Sequence, residues 1–169
     1  MSDNGLIATL KHFPSNGSTE TNTHYGSGVC TRTLDELRAN EFIPFKAGID
    51  AGADMVMVAH MAVPDITGDE TPSTLSSVVI KDLLRNELGF GGVVVSDALN
   101  MGAITSQYTP LEAAMKAIDA GADILLMSPD VRNTATGIIN AVYAGDIAEE
   151  RINESVDRIL KLKLKRGIM

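Results

Sequence analysis

The run Val93-Val94-Val95, followed directly by Ser96-Asp97, constrains the fold more than any other stretch of this chain. Three consecutive β-branched residues read as a strand buried on both faces, the mark of a parallel sheet covered by helices. A serine and an aspartate then stand where that strand leaves the core. In an α/β barrel the loops at this end of the sheet carry the chemistry while the strands hold position. Asp97 is therefore a candidate nucleophile or general base. Short polar residues at strand ends also cap the following turn or helix, and the local sequence leaves both readings open.

Three further apolar runs, at 6–10, 55–59 and 124–127, read as strands beside 93–96. Helical spacing fills the gaps. Leu34, Leu37, Phe42, Phe45 and Ile49 form one apolar face, of a helix or helix pair broken near Pro44. Val78, Val79, Leu83, Leu84 and Leu88 form a second, closed by Gly89. Pro110 suits the first turn of a third helix, which ends at Gly121. A fourth covers 132–143 and stops at Gly145. The last carries Ile152, Val156, Ile159 and Leu160, then Lys161, Lys163, Lys165 and Arg166, cations that complement a helix C-terminus.

This alternation predicts an α/β chain of four parallel strands joined by right-handed crossovers, in one domain over residues 1–169. Residues 47–57 also echo residues 117–127 around a shared Ile-Asp-Ala-Gly-Ala-Asp. The repeat fits two αβ loops of one architecture and carries no chemistry by itself. An eight-stranded barrel takes about 250 residues. Four strands make either an open sheet with two bare edges or half a barrel that needs a partner.

Composition narrows the partners. With 169 residues, 44% of them hydrophobic, the chain can bury one core. A net charge of -8 argues against nucleic acid or an anionic membrane surface. Cys30 is the single cysteine, so there is no intramolecular disulfide. No apolar run approaches the roughly 20 residues of a bilayer span, and the N-terminus does not read as a signal peptide. The expectation is a cytoplasmic chain, with export of a parent protein left open.

Lys11 and His12 follow the first strand, His60 the second and Asp97 the third, while His24 sits in a Ser/Thr/Asn/Gly-rich segment. A lone histidine is more often a satisfied buried imidazole or a cap. Three histidines gathered at strand exits favour function. No close-spaced histidine pair suggests a metal, and no cofactor or metal is expected. Gly89-Phe90-Gly91-Gly92 precedes a strand, whereas phosphate cradles follow one and open a helix. Ser96 lacks the Gly-x-Ser-x-Gly elbow of a serine nucleophile.

Taken together, six segments resemble family 3 glycoside hydrolases, nearest their bacterial β-N-acetylhexosaminidases. They are Lys11-His12-Phe13-Pro14, Thr23-His24-Tyr25-Gly26, Val56-Met57-Val58-Ala59-His60, Thr74-Leu75-Ser76, Leu88-Gly89-Phe90 and Val95-Ser96-Asp97-Ala98-Leu99-Asn100-Met101. The resemblance implies a TIM-like barrel and retaining hydrolysis of terminal β-linked N-acetylglucosamine, often from cell-wall fragments. It makes Asp97 the nucleophile and puts Lys11 and His12 on the sugar, with His60 and Met101 as further substrate contacts. It makes His24 the general acid/base, with Asn22 where the pattern has an aspartate. A carboxylate there would raise the imidazole pKa, whereas Asn22 orients the ring without charge. A weaker acid slows departure of the leaving sugar, by up to the ~10²–10⁴-fold assigned to general acid catalysis.

The matched segments correspond to the barrel from its fifth strand onward, so the chain resembles the C-terminal half of a (β/α)8 barrel. Such a half is expected to be weak or inactive alone. It should associate as a homo-oligomer or accept a complementing N-terminal half. The alternative is a non-catalytic sugar-binding or folding module.

Overall fold

The computed structural model describes residues 6–15 and 28–169. Three parallel strands, β1 (Thr9–Phe13), β2 (Met55–Val58) and β3 (Val93–Ser96), lie in the order β1-β2-β3. Helices α1 (Leu34–Ala39) and α2 (Phe42–Asp50) connect β1 to β2. Short α3 (Pro64–Thr67) and the helix Val78–Glu87 connect β2 to β3. The helix Val78–Glu87 is wound wide, and Leu88 N–H reaches Leu83 O, five residues back, at 3.0 Å. After β3 come α4 (Gly102–Thr105), α5 (Pro110–Ala120), α6 (Val131–Ala144) and α7 (Glu149–Lys165). Among the described residues no helix is long and apolar enough to cross a membrane.

Local chemistry explains the helix ends. Thr33 with Glu36, and Thr109 with Glu112, close reciprocal capping boxes at α1 and α5. The predicted break near Pro44 falls earlier, at Asn40 and Glu41. Pro44 instead sits in the first turn of α2, where its missing N–H has no intrahelical partner to lose. Gly121, at φ +115°, ends α5 in a conformation costly for any residue with a Cβ.

The expected four-stranded sheet is corrected to three strands and one bridge. Beyond β3, Ile124 makes a single parallel bridge with Val95. Ser96 N–H still donates to Ile124 O at 3.0 Å, but Leu126 N–H donates to the Ser96 hydroxyl at 2.9 Å instead of a backbone carbonyl. A side chain has taken the ladder position, and Met127 then turns into positive φ. The first strand is also displaced from 6–10 to Thr9–Phe13, because Leu6 and Ile7 are exposed rather than packed.

β2 and β3 pair in regular register from Met55↔Val93 to Val58↔Ser96. β1 does not keep step. Leu10 faces Val56 and Phe13 faces Val58, so three steps on β1 oppose two on β2, with Lys11 and His12 in the slipped stretch. Phe13 then anchors the core, stacked on Phe42 at 5.5 Å and edge-on to Phe45 at 5.1 Å. Leu37, Val56, Val58, Met61, Leu84 and Leu99 are buried around it.

The repeated Ala-Gly-Ala-Asp closes the opposite end of the sheet. Asp54 Oδ2 accepts Ala8 N–H at 3.2 Å, and Asp123 Oδ2 accepts Val94 N–H at 2.9 Å. Each aspartate, fully buried, therefore ties its own segment to the start of the preceding strand. Asp54 is met by Lys165 and Arg166 from the end of α7, and Asp123 by Arg85, Arg151 and Arg158. The basic tail thus does more than complement its own helix terminus.

Candidate active site

Parallel strands of one handedness send their C-terminal ends to a common rim, and two of the expected groups, Asp97 and His12, meet there. Asp97 follows β3, with its backbone N–H bonded to Val58 O of β2 at 3.0 Å. Ala98 N–H donates to Asp97 Oδ1 at 2.8 Å. Asp97 Oδ2 faces His12 Nε2 at 3.9 Å, too far for a hydrogen bond. One carboxylate oxygen is pinned, and among the described residues the other has no hydrogen-bond donor, which is the state a nucleophilic carboxylate requires. Both side chains keep partial access to solvent, 21% for His12 and 16% for Asp97.

The two imidazoles at the rim are shifted toward the neutral form. Burial lowers the His12 pKa, and Lys11 lowers it further, against an opposing pull from Asp97. Burial also lowers the pKa of His60, while the Ala98 bond and Asp97 act the other way. Neutral rings therefore place no positive charge of their own against Asp97.

The remaining expected residues fall differently. His60 is 1% exposed, and its Nε2 lies 2.9 Å from Ala98 O. Its expected contact with sugar is therefore revised: the ring sits behind the Asp97 turn, sealed from a ligand. Met101 is half-buried, and its N–H also donates to Ala98 O, at 3.0 Å. Lys11 is exposed beside Leu10, Pro44 and Phe45, lining a shallow hollow at the β1 side of the sheet. His24 and Asn22 lie outside the described residues. Among the described residues no three histidine, cysteine, aspartate or glutamate side chains gather as a metal site.

Sequence reasoning missed two features that shape this rim. One is Ala98, whose carbonyl and N–H both serve the site and whose small side chain gives no signal. The other is the Ser96 hydroxyl, read only as a failed nucleophile, which redirects the segment at 124–127.

The description "Glycosyl hydrolase family 3 N terminal domain" fits residues 1–162. The chain belongs to glycosyl hydrolase family 3. It is 46% identical over 123 residues to a beta-hexosaminidase of Stenotrophomonas maltophilia (strain K279a), an alignment covering 73% of this chain and 36% of that protein. The solved family 3 beta-N-acetylglucosaminidase from Paenibacillus sp. str. FPU-7 superposes with a TM-score of 0.94 at 41% identity. That match covers 99% of this chain and 32% of the other. A beta-glucoside phosphorylase superposes with a TM-score of 0.93 at 28% identity, covering 99% of this chain and 32% of the other. The chain thus spans about a third of the length of these relatives.

Proposed function

We propose that this chain supplies the nucleophile-bearing half of a retaining glycoside hydrolase for terminal β-linked N-acetylhexosaminides. The supporting observation is the Asp97 carboxylate, with Oδ1 held by Ala98 N–H and Oδ2 free at the rim beside His12. In this reading Oδ2 attacks the anomeric carbon and the C1–O bond to the leaving sugar breaks. The departing oxygen takes the His24 proton. Water, deprotonated by His24, then attacks the glycosyl-aspartate ester and frees Asp97. Lys11, His12 and Met101 contact the sugar, and Asn22 orients His24. The roles of His24 and Asn22 rest on the sequence pattern alone. Phosphate in place of water as acceptor, as the name of the phosphorylase neighbour suggests, would yield a sugar 1-phosphate instead.

A barrel mouth needs walls on all sides, and this sheet has open edges at β1 and at 124–127. The completing partner is a second copy or an N-terminal half-barrel. The internal repeat supports such pairing. β1 with β2, and β3 with the 124–127 segment, are two similar units joined edge to edge, so the last segment offers an edge like the one β2 offers β3.

Turnover of a nitrophenyl β-N-acetylglucosaminide tests the reading, with the chain alone and with the N-terminal part of the Stenotrophomonas relative added. Activity in either mixture, lost in Asp97→Ala, supports it. No turnover in both favours a non-catalytic half-barrel module, a reading that Asn22 in place of a carboxylate also suits. Asn22→Asp should speed poor leaving groups more than nitrophenol, because only the former need a strong acid. Sedimentation showing only monomer across micromolar concentrations would rule out the self-paired form.

A further inference from the structure

His60 is a buried imidazole for which the reaction just described has no direct use. Its Nε2 can only donate to the Ala98 carbonyl, since a carbonyl oxygen has no hydrogen to give. That fixes the neutral tautomer with hydrogen on Nε2. Nδ1 is buried and without a hydrogen-bond partner among the described residues. Among the described residues the ring is therefore tied to its surroundings through one polar contact, the carbonyl of Ala98, the residue after Asp97.

The Ala98 oxygen is gripped from two sides, by His60 Nε2 at 2.9 Å and by Met101 N–H at 3.0 Å. It lies in the planar Ala98–Leu99 peptide, whose Leu99 N–H donates to Leu126 O at 2.9 Å, so that plane is fixed on both sides. Ala98 N–H belongs to the preceding peptide, separated only by the φ and ψ of Ala98, and points at Asp97 Oδ1 at 2.8 Å. We infer that His60 is a positioning residue: by holding the Ala98 carbonyl it restricts the backbone of Ala98, and through the Ala98 N–H it sets the orientation of the Asp97 carboxylate, so that Oδ1 is held and Oδ2 faces the rim. This rests on Asp97 being the nucleophile. Packing alone would be served by a leucine or phenylalanine, whereas the donor at Nε2 serves the turn. A proton added at Nδ1 would be a buried donor without a partner, so the ring holds the turn without placing a cation against Asp97. Burial favours the same neutral form.

The test compares His60→Phe and His60→Gln in the full chain by amide hydrogen exchange. Asp97 N–H, bonded to Val58 O, reports the sheet, and Ala98 N–H, bonded to Asp97 Oδ1, reports the turn. His60→Phe should speed Ala98 exchange relative to Asp97 by about five- to tenfold, the effect of one modest hydrogen bond. His60→Gln, which keeps a donor, should recover most of the difference. Equal acceleration of both amides, or an unchanged Ala98, would overturn the inference. If neither variant folds, nitrogen spectra of the unaltered chain decide: a slowly exchanging hydrogen on Nε2 supports it, and an Nδ1–H tautomer overturns it. No turnover is needed, so an inactive chain would defeat the glycosidase reading while leaving this measurement to stand or fall separately.

Discussion

Both ends of one small parallel sheet are finished with aspartates, and the two ends treat them oppositely. At the N-terminal end the Asp54 and Asp123 side chains are sealed from solvent and engaged through both oxygens: two cations and a backbone N–H on the first, three guanidiniums, the Ser155 hydroxyl and a backbone N–H on the second. At the C-terminal rim, among the described residues, Asp97 has one backbone donor and an imidazole standing off at 3.9 Å. A carboxylate with donors on both oxygens holds strands together and is poorly placed to attack. A carboxylate with one idle oxygen contributes little to cohesion and is chemically available. Residue type is therefore a poor guide to role, and the number of donors aimed at the carboxylate is a good one.

The sharpest way to break this comparison is to neutralise the idle carboxylate. On the proposed reading, Asp97→Asn keeps an oxygen for Ala98 N–H but loses the nucleophile. In the completed enzyme turnover should fall by about 10⁴-fold or more, as for removal of other covalent nucleophiles. Urea unfolding should shift by less than about 1 kcal/mol. A large loss of stability here would erase the distinction between the two ends.

Next in size is Asp123→Ala, which strands Arg85, Arg151 and Arg158 with a buried excess of positive charge. Breaking such a cluster should cost about 3–5 kcal/mol, read from the urea midpoint. Arg166→Ala is milder because Lys165 still reaches Asp54. A loss of about 1–3 kcal/mol is expected, the range for a buried polar group losing a partner.

The smallest effects come from acid, and they separate the two ends by pH. Burial holds the folded pKa of His12 and of His60 below the ordinary value of about 6.5. Protons then bind the unfolded chain more readily, so the rim's contribution is complete above about pH 6.5 and shrinks as pH falls below it. For Asp54, burial alone would raise the pKa, but hydrogen bonds from Arg166, Lys165 and Ala8 N–H hold it lower. That contribution is complete above about pH 3.8 and disappears as pH drops through the depressed folded value. Amide signals of the Asp97–Met101 turn should loosen first, with the helical circular dichroism persisting to stronger acid. A single coincident transition would contradict this order.

Much of the molecule was legible in advance. Val93, Val94 and Val95 gave away a doubly buried strand, and Pro110 and Gly121 bracketed α5 to the residue. Asp97 and His12 were found because polar residues directly after apolar runs must surface together in a parallel sheet. The failures share one cause: side chains acting on backbone. Ser96 intercepts Leu126 N–H, so the run 124–127 reads as a strand but pairs by a single bridge. His60 looked like a ligand contact because, like His12, it follows an apolar run, and only packing shows it buried. The aspartates of the repeat passed as loop residues because their cations lie far along the chain, 111 and 112 positions away for Asp54.

That last separation bears on how the protein is made. Asp54 belongs to the first pair of strands, yet the cations that neutralise it are near the end of the final helix. While the chain is still emerging from the ribosome, the pairing of β1 with β2 would bury a bare negative charge, which is strongly unfavourable. The pairing of β1 with β2 must therefore wait for residues 111 and 112 positions further along before it locks, which ties closure of this sheet to the synthesis of α7.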